Sequence, residues 1–501
     1  MAAQPYTVVE PKPKGKDASE LIYMPSQGMS NIILMSFKDG HKSDCFEETE
    51  CKTSVGHDFL SSSSLSPSMK SPPRRDPLVD LLYWRGFRIQ ASIDTANFDR
   101  IQALTIALSY YLPFEELAFQ HRNSDKWMAM SFLHPHNSAL LSTRTPALAA
   151  AVDTLSLTHA AVRSQDARLT QQAIKRYTVS IALLRESIAQ RGKYERNEVL
   201  LAIFILQLGE PPISEVGGCL PRIDGAARSF QYEGPRHLSS SYDTALFALA
   251  RQHAILGALL RREHTFFNQP QWLYISQSAP VINHITHFLD IGTSVPGLLA
   301  ETDKVGSNIR SEHFVYELLQ RLDCTCEAVV AWNNEFCSSM KHEISTTIDI
   351  KEMEAYNEDM EGDSTFLPVF KFASFRTAWY ITLGWTFQYT ILKSIYDILT
   401  IRVDVVYKHK ALEIEILMSR VITNLSMVIP QLFAKRFGAI GRAAITLPLT
   451  ILTEFYSSRG RARELDRCRK IEKAVNHPRE GLKPMWMHEW KEGVHIHASR
   501  L

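Results

Sequence analysis

In LTQQAIKRYTVSIALLRESI, residues 169–188, the side chains Leu169, Ala173, Tyr177, Ile181, Leu184 and Ile188 recur at helical steps. That spacing draws one apolar stripe along an α-helix and turns Gln171, Lys175, Arg176, Arg185 and Glu186 mostly away from it. A helix with one such stripe needs neighbours to cover it, and the flanking segments supply them. Thr145-Pro146 marks a helix start, with proline at the first helical position where its missing N–H costs nothing. Leu148, Val152, Leu155, His159 and Val162 are the expected buried side of PALAAAVDTLSLTHAAV. RSQD makes the turn between the two helices, and Gly192 is the expected stop of the second. NEVLLAIFILQLGE follows, from Asn197 to Glu210. Its run from Val199 to Leu206 offers no polar side to water, so that helix must be enclosed by others. Short connections make the three antiparallel neighbours in a bundle.

The same pattern continues along the chain. DTALFALARQHAILGALLRRE, SEHFVYELLQRLDCTCEAVVAWNNEF, KFASFRTAWYITLGWTFQYTILKSIYDIL and ALEIEILMSRVITNLSMVI read as long helices, and no strand alternation is sustained enough to suggest a sheet. The expected fold class is all-α, a large multi-helix bundle occupying residues 78–485, with a C-terminal tail at 486–501. Residues 1–77 carry PKPKGKD and FLSSSSLSPSMKSPPRRDP, compositions too poor in apolar groups to offset chain entropy, so a mostly disordered segment is expected there. The acidic stretch from about 343 to 365 loses periodicity and reads as an exposed loop.

Charge and cysteine usage narrow the function. Lys and Arg total 55 against 54 Asp and Glu, a net charge of +1. No field of that size holds nucleic acid non-specifically, so any DNA contact is local or indirect. Seven cysteines spread over 501 residues suit a reducing compartment better than a disulfide framework. The N-terminal MAAQPYTVVEPKPKGK has no apolar run and does not read as a secretory signal. Thr377 to Leu392 is uncharged but shorter than the roughly 20 apolar residues a membrane span needs. It reads as a buried helix, and no membrane partner is expected.

Chemistry-bearing residues are scattered. His41, Cys45, Cys51 and His57 share a short polar segment but lack the two-residue gap that lets paired thiolates face one zinc ion. Cys324 and Cys326 point to different faces of one helix and read as small buried hydrophobes. The acids of NEDMEGD, Asn357 to Asp363, lie beside Gly362 in the least periodic part of the body and read as a solvated loop rather than a magnesium site. His488, His495 and His497 make at most a weakly metal-affine tail. Arg459, Arg461, Arg463, Arg467, Arg469 and Lys470 face Glu464 and Asp466 and read as the wet side of a terminal helix. KSPPRR is a nuclear address or a linker. Phosphate loops, nucleophile elbows and H-E-x-x-H are absent from the sequence. No catalytic, cofactor or metal residues are assigned, and a non-enzyme is expected.

At the helical series the chain resembles the large C-terminal regulatory region of the fungal-specific transcription factors of the zinc binuclear cluster type. TPALAAAVDTLSLTHAAV is similar to that region's first helix, and ALLRESIAQ after Tyr177 to its second. NEVLLAIFILQLGE resembles the helix ending in glutamate, and RIDGAARSFQYEGP the segment with GA and then GP. LFALARQHAILGALLRREHTFFNQPQW follows in order, and GRAAITLPLTILTEFY resembles the C-terminal part. The likeness spans roughly residues 77 to 480. It implies a nuclear transcription regulatory protein acting through protein partners, other transcription factors among them, or a small-molecule effector. Members of that family open with a six-cysteine cluster that holds two zinc ions and contacts DNA. Cys45 and Cys51 do not make that motif, so DNA-contact residues stay unassigned and a zinc cluster is absent; a cluster encoded upstream of Met1 is another account of its absence. The alternatives are a helical enzyme of a biosynthetic pathway and a non-nuclear interaction scaffold.

Overall fold

Each of the three helices expected around residue 169 forms. In the computed structural model, α1 spans Pro146–Ser164 and ends at Gln165, whose φ of 52° is left-handed. Asp166 then caps α2 (Ala167–Ala189) by accepting the Arg168 backbone N–H at 2.8 Å. α3 spans Arg196–Leu208, and every residue from Val199 to Leu206 is buried. The structure describes residues 145–190, 196–208, 225–280, 283–307, 312–347, 365–366, 368–401, 405–434 and 437–475, with Ala103 and Ala107. All of them belong to one unit, Ser63–Leu501. The expected stop at Gly192, the N-terminal segment and the C-terminal tail lie outside the described residues.

The stripe on α2 is rotated from its expected position. Its buried residues are Ala173, Ser180, Leu184 and Ser187, whereas Ile188 is 42% exposed. The seam therefore steps through 173, 177, 180, 184 and 187, alternating fours and threes. Two serines replace apolar groups because the facing wall of α1 is built from small residues, among them Ala150, Thr154 and Ala161, which let the helices approach closely. The hydroxyls survive burial by donating to their own helices. Thr154 Oγ1 reaches Ala150 O at 2.8 Å, Ser180 Oγ reaches Arg176 O at 2.8 Å, and the two hydroxyls meet at 2.9 Å. Arg176, expected to face outward, pairs with Asp153 across the same seam.

Next come α4 (Gly225–Glu233), α5 (Ser241–Arg261), a 3-10 turn at Phe266–Asn268, α6 (Pro270–Gln277), α7 (His284–Gly292), α8 (Val295–Ser307) and α9 (Glu312–Ser339). Ser240 starts α5 with a reciprocal cap: its Oγ accepts the Asp243 N–H at 3.0 Å while Asp243 Oδ2 accepts the Ser240 N–H at 3.1 Å. The last group is α10 (Phe375–Ile401), α11 (Val405–Leu432), α12 (Gly438–Ala444), α13 (Thr446–Ser458) and α14 (Ala462–Val475).

Between α9 and α10, where a loop is expected, lies a small sheet. β1 (Ile344–Thr347) and β2 (Val369–Phe372) pair antiparallel, Ile344 opposite Phe372 and Thr347 opposite Val369. The start of the expected loop is therefore a strand; residues 348–364, NEDMEGD included, lie outside the described residues. Four residues per strand are too few to show a period. Gln431 of α11 serves β2 as a further strand would. Its Oε1 accepts the Phe372 N–H at 2.7 Å, and its Nε2 donates to Phe372 O at 3.1 Å.

Among the described residues, two apolar cores result. The first gathers α1, α3, α4, the N-terminal half of α5 and α6 around the rings of Phe230, Phe247, Phe267 and Trp272. The second gathers α7 to α14 around Phe288, Trp332, Phe336 and Phe387. α10 is buried on nearly every side, as expected, and its Thr382 and Thr386 hydroxyls donate one turn back at 2.6 and 2.7 Å. No described helix is long and apolar enough to cross a membrane.

His253, on α5, packs edge-on to Phe204 with ring centroids 5.5 Å apart. Its Nδ1 is sealed from solvent, and burial pushes the imidazole pKa from 6.5 down to about 4. Between those two values the unfolded chain binds a proton that the folded chain refuses. Stability is thus complete above pH 6.5 and falls on acidification toward pH 4, by about 2 kcal/mol after allowing for the residue's partial exposure. Urea titrations at several pH values are expected to show this slope in the native chain and a flatter one in His253→Phe.

Candidate ligand cleft between α8 and α9

Most candidates named from the sequence fall outside the described residues: His41, Cys45, Cys51, His57, KSPPRR, His488, His495 and His497. The cysteine pair on α9 splits. Cys326 is buried, as expected, and burial pushes its thiol up to about 12; Cys324, expected to be buried too, is exposed. The helical period of α9 places the two on different sides, and only one side meets the core.

Three cations of the basic run around α14 are paired. Arg459 pairs with Glu415 of α11 at 2.5 Å and lies over the Phe455 ring at 4.6 Å. Arg461 pairs with Glu464, and Lys470 with Asp466 at 2.7 Å. Arg467 departs from the expected wet face: it is buried beside Cys468, because the inward side of α14 runs through Arg467, Cys468, Ile471 and Val475.

The structure assembles a different place, a cleft of about 500 Å³ where α8 and α9 meet the loop after α5. It is built in steps. α5 ends at Arg262, whose left-handed backbone (φ 52°) sends the chain sideways. The Arg262 side chain ties that turn to α8, with Nε donating to Asp303 at 2.7 Å and Nη2 to Leu299 O at 3.2 Å. His264 comes next, and its imidazole lies against the first turn of α8 at Gly297. A Cβ on Gly297 would stand 2.5 Å from His264 Nδ1, so a larger residue there would push the exposed ring aside. Pro296 fits beside it because the first turn of a helix needs no N–H from that position.

The α9 wall is held by one fork. Arg321 Nη1 donates to Glu301 Oε2 at 2.7 Å and Nη2 to Glu301 Oε1 at 3.0 Å. Hydrogen bonding to Glu301 holds the Arg321 guanidinium even more firmly protonated than usual. The floor is the buried Leu298. Around it stand Asn268, Ser294, Gln320 and Thr325, with Cys324 at the rim. The hydroxyl protons are already used: Ser294 Oγ donates to Ile291 O at 2.8 Å, and Thr325 Oγ1 to Arg321 O at 2.8 Å. Each hydroxyl oxygen can therefore only accept. The amides of Gln320 and Asn268 supply donors and acceptors.

Such a volume falls in the range of small-molecule sites. Neither His264, Glu301 nor Arg321 was singled out from the sequence. They are spread over three elements, and no local spacing ties them together. No family model, curated protein or solved structure matches this chain. Among the described residues, no group of three or more His, Cys, Asp or Glu side chains is placed to hold a metal ion.

Proposed function

We propose that this protein is a transcription regulatory protein whose helical body binds protein partners or a small effector, with any DNA contact indirect or weak. The supporting observation is one of order. The segments that resemble the regulatory region of the fungal transcription factors fold as the successive helices α1, α2, α3, α4 and α5. The segment ending at Trp272 then carries the chain from α5 past His264, into the wall of the cleft. A regulatory body of this kind needs a place where an effector can bias helix packing, and α8 and α9 meet there on the rim of the second core.

The reading predicts that a fluorescently tagged chain accumulates in the nucleus and that deleting its gene changes a coherent set of transcripts. It further predicts that the body lacking residues 1–75 is recovered on chromatin only with its partners. Cytoplasmic fluorescence under every growth condition, with an unaltered transcript profile, would overturn it in favour of an interaction scaffold.

A further inference from the structure

We propose that the cleft between α8 and α9 binds a small, uncharged, polyhydroxylated molecule, a sugar or cyclic polyol. The inference deepens the effector part of the reading above and rests on it for its purpose, while the chemistry stands on the cleft alone.

Charge compensation sets the ligand's charge. Glu301 and Arg321 each use both of their forward positions on the other, so neither ion seeks a counter-charge. An incoming carboxylate meets Glu301, and an incoming ammonium meets Arg321. Either ion meets an attraction and a repulsion from the same fork, so its charge gains it little there. A neutral ligand leaves the fork intact. It finds donors and acceptors alternating along the rim of the fork, namely the remaining guanidinium N–H groups beside the remaining carboxylate lone pairs.

Hydrogen-bond directions set the functional groups. Ser294 and Thr325 accept only, whereas Gln320 both donates and accepts. A hydroxyl satisfies either kind of neighbour, and vicinal hydroxyls match the spacing of planar, two-headed groups such as a carboxamide or a guanidinium. The remaining surfaces are Leu298 below and the His264 ring, pressed on Gly297, at the side. Those suit the C–H face of a pyranose or cyclitol ring. A cleft of this size accommodates a monosaccharide together with bridging water.

The test uses the purified full-length chain with four probes: D-glucose and myo-inositol, uncharged, and D-glucuronate and D-glucosamine, charged. Saturation-transfer NMR and calorimetry are expected to detect an uncharged probe and to find the charged ones at least about tenfold weaker. Glu301→Gln and Gln320→Ala are each expected to weaken the uncharged probe about tenfold or more. Gln320 is exposed, so Gln320→Ala keeps the test valid should Glu301→Gln fail to fold. Glucuronate or glucosamine binding as tightly as the uncharged probes overturns the proposal. So does binding that survives both substitutions, and so does silence from all four probes at about 0.1 M. The two readings fail separately. Silent probes with transcripts still dependent on the gene remove this inference alone, whereas Gln320-dependent binding with unaltered transcripts removes the regulatory reading and keeps the site.

Discussion

Arg251→Met is expected to lower the unfolding free energy by about 3–5 kcal/mol, the usual result of removing one partner from a buried ion pair. Arg251 is only 1% exposed. Its Nη1 donates to Ser276 Oγ on α6 at 2.6 Å, its Nη2 to Asp290 Oδ1 on α7 at 2.5 Å, and its guanidinium lies 5.3 Å from the centre of the Phe247 ring. Burial pulls the guanidinium's proton affinity below its ordinary value, and Asp290 opposes that pull. Methionine fills much of the same space but leaves the Asp290 carboxylate without its cation. Replacing both partners, as in Arg251→Met with Asp290→Leu, removes the stranded charge and is expected to recover most of the loss. Urea midpoints of the two variants decide it. A single variant within about 1 kcal/mol of the native chain would mean the pair holds nothing together.

Gly384→Ala is the second large effect, a loss of about 3 kcal/mol from overpacking. Gly384 lies mid-helix on α10, where glycine is otherwise a disadvantage. A Cβ added there would stand 1.9 Å from Asn333 Oδ1, 2.7 Å from its Cγ and 2.8 Å from its Nδ2. The Asn333 carboxamide of α9 therefore occupies the missing side chain's space. It cannot retreat easily, being 2% exposed in the second core with no hydrogen-bond partner for either amide atom among the described residues. Asn333→Ala removes an unsatisfied amide and vacates the space. In that background Gly384→Ala is expected to turn neutral or stabilising through helix propensity. Thermal midpoints of the four proteins in the cycle test this, and additive effects would contradict the contact.

How much of this was legible beforehand depends on the distance over which each determinant acts. The burial of Val199–Leu206 was readable because an unbroken apolar run has no side to leave in water, and α10 was readable from its uncharged length. The face of α2 was not, since Ser180 and Ser187 look polar until Thr154 and the alanines of α1 are brought opposite. The hairpin between β1 and β2 was invisible because its strands are short and Gln431, which secures it, lies 59 residues on. The burial of Arg467 and the exposure of Cys324 reverse what residue type alone suggests, each decided by the helix period against a neighbour. The cleft was hidden for a related reason: Gly297 reads as an ordinary helix-start glycine, and only the fold brings His264 against it.

α5 feeds Leu246, Phe247, Ala250 and Ala254 into one core and Ile255, Leu256 and Leu260 into the other. It is a stiff shaft clamped at both ends, and its last turn leads into the wall of the cleft. The shaft is some 30 Å long at about 1.5 Å per residue, so one rigid element spans both cores. The two cores are therefore expected to melt in a single calorimetric transition, and two resolved transitions would show that the shared shaft does not couple them.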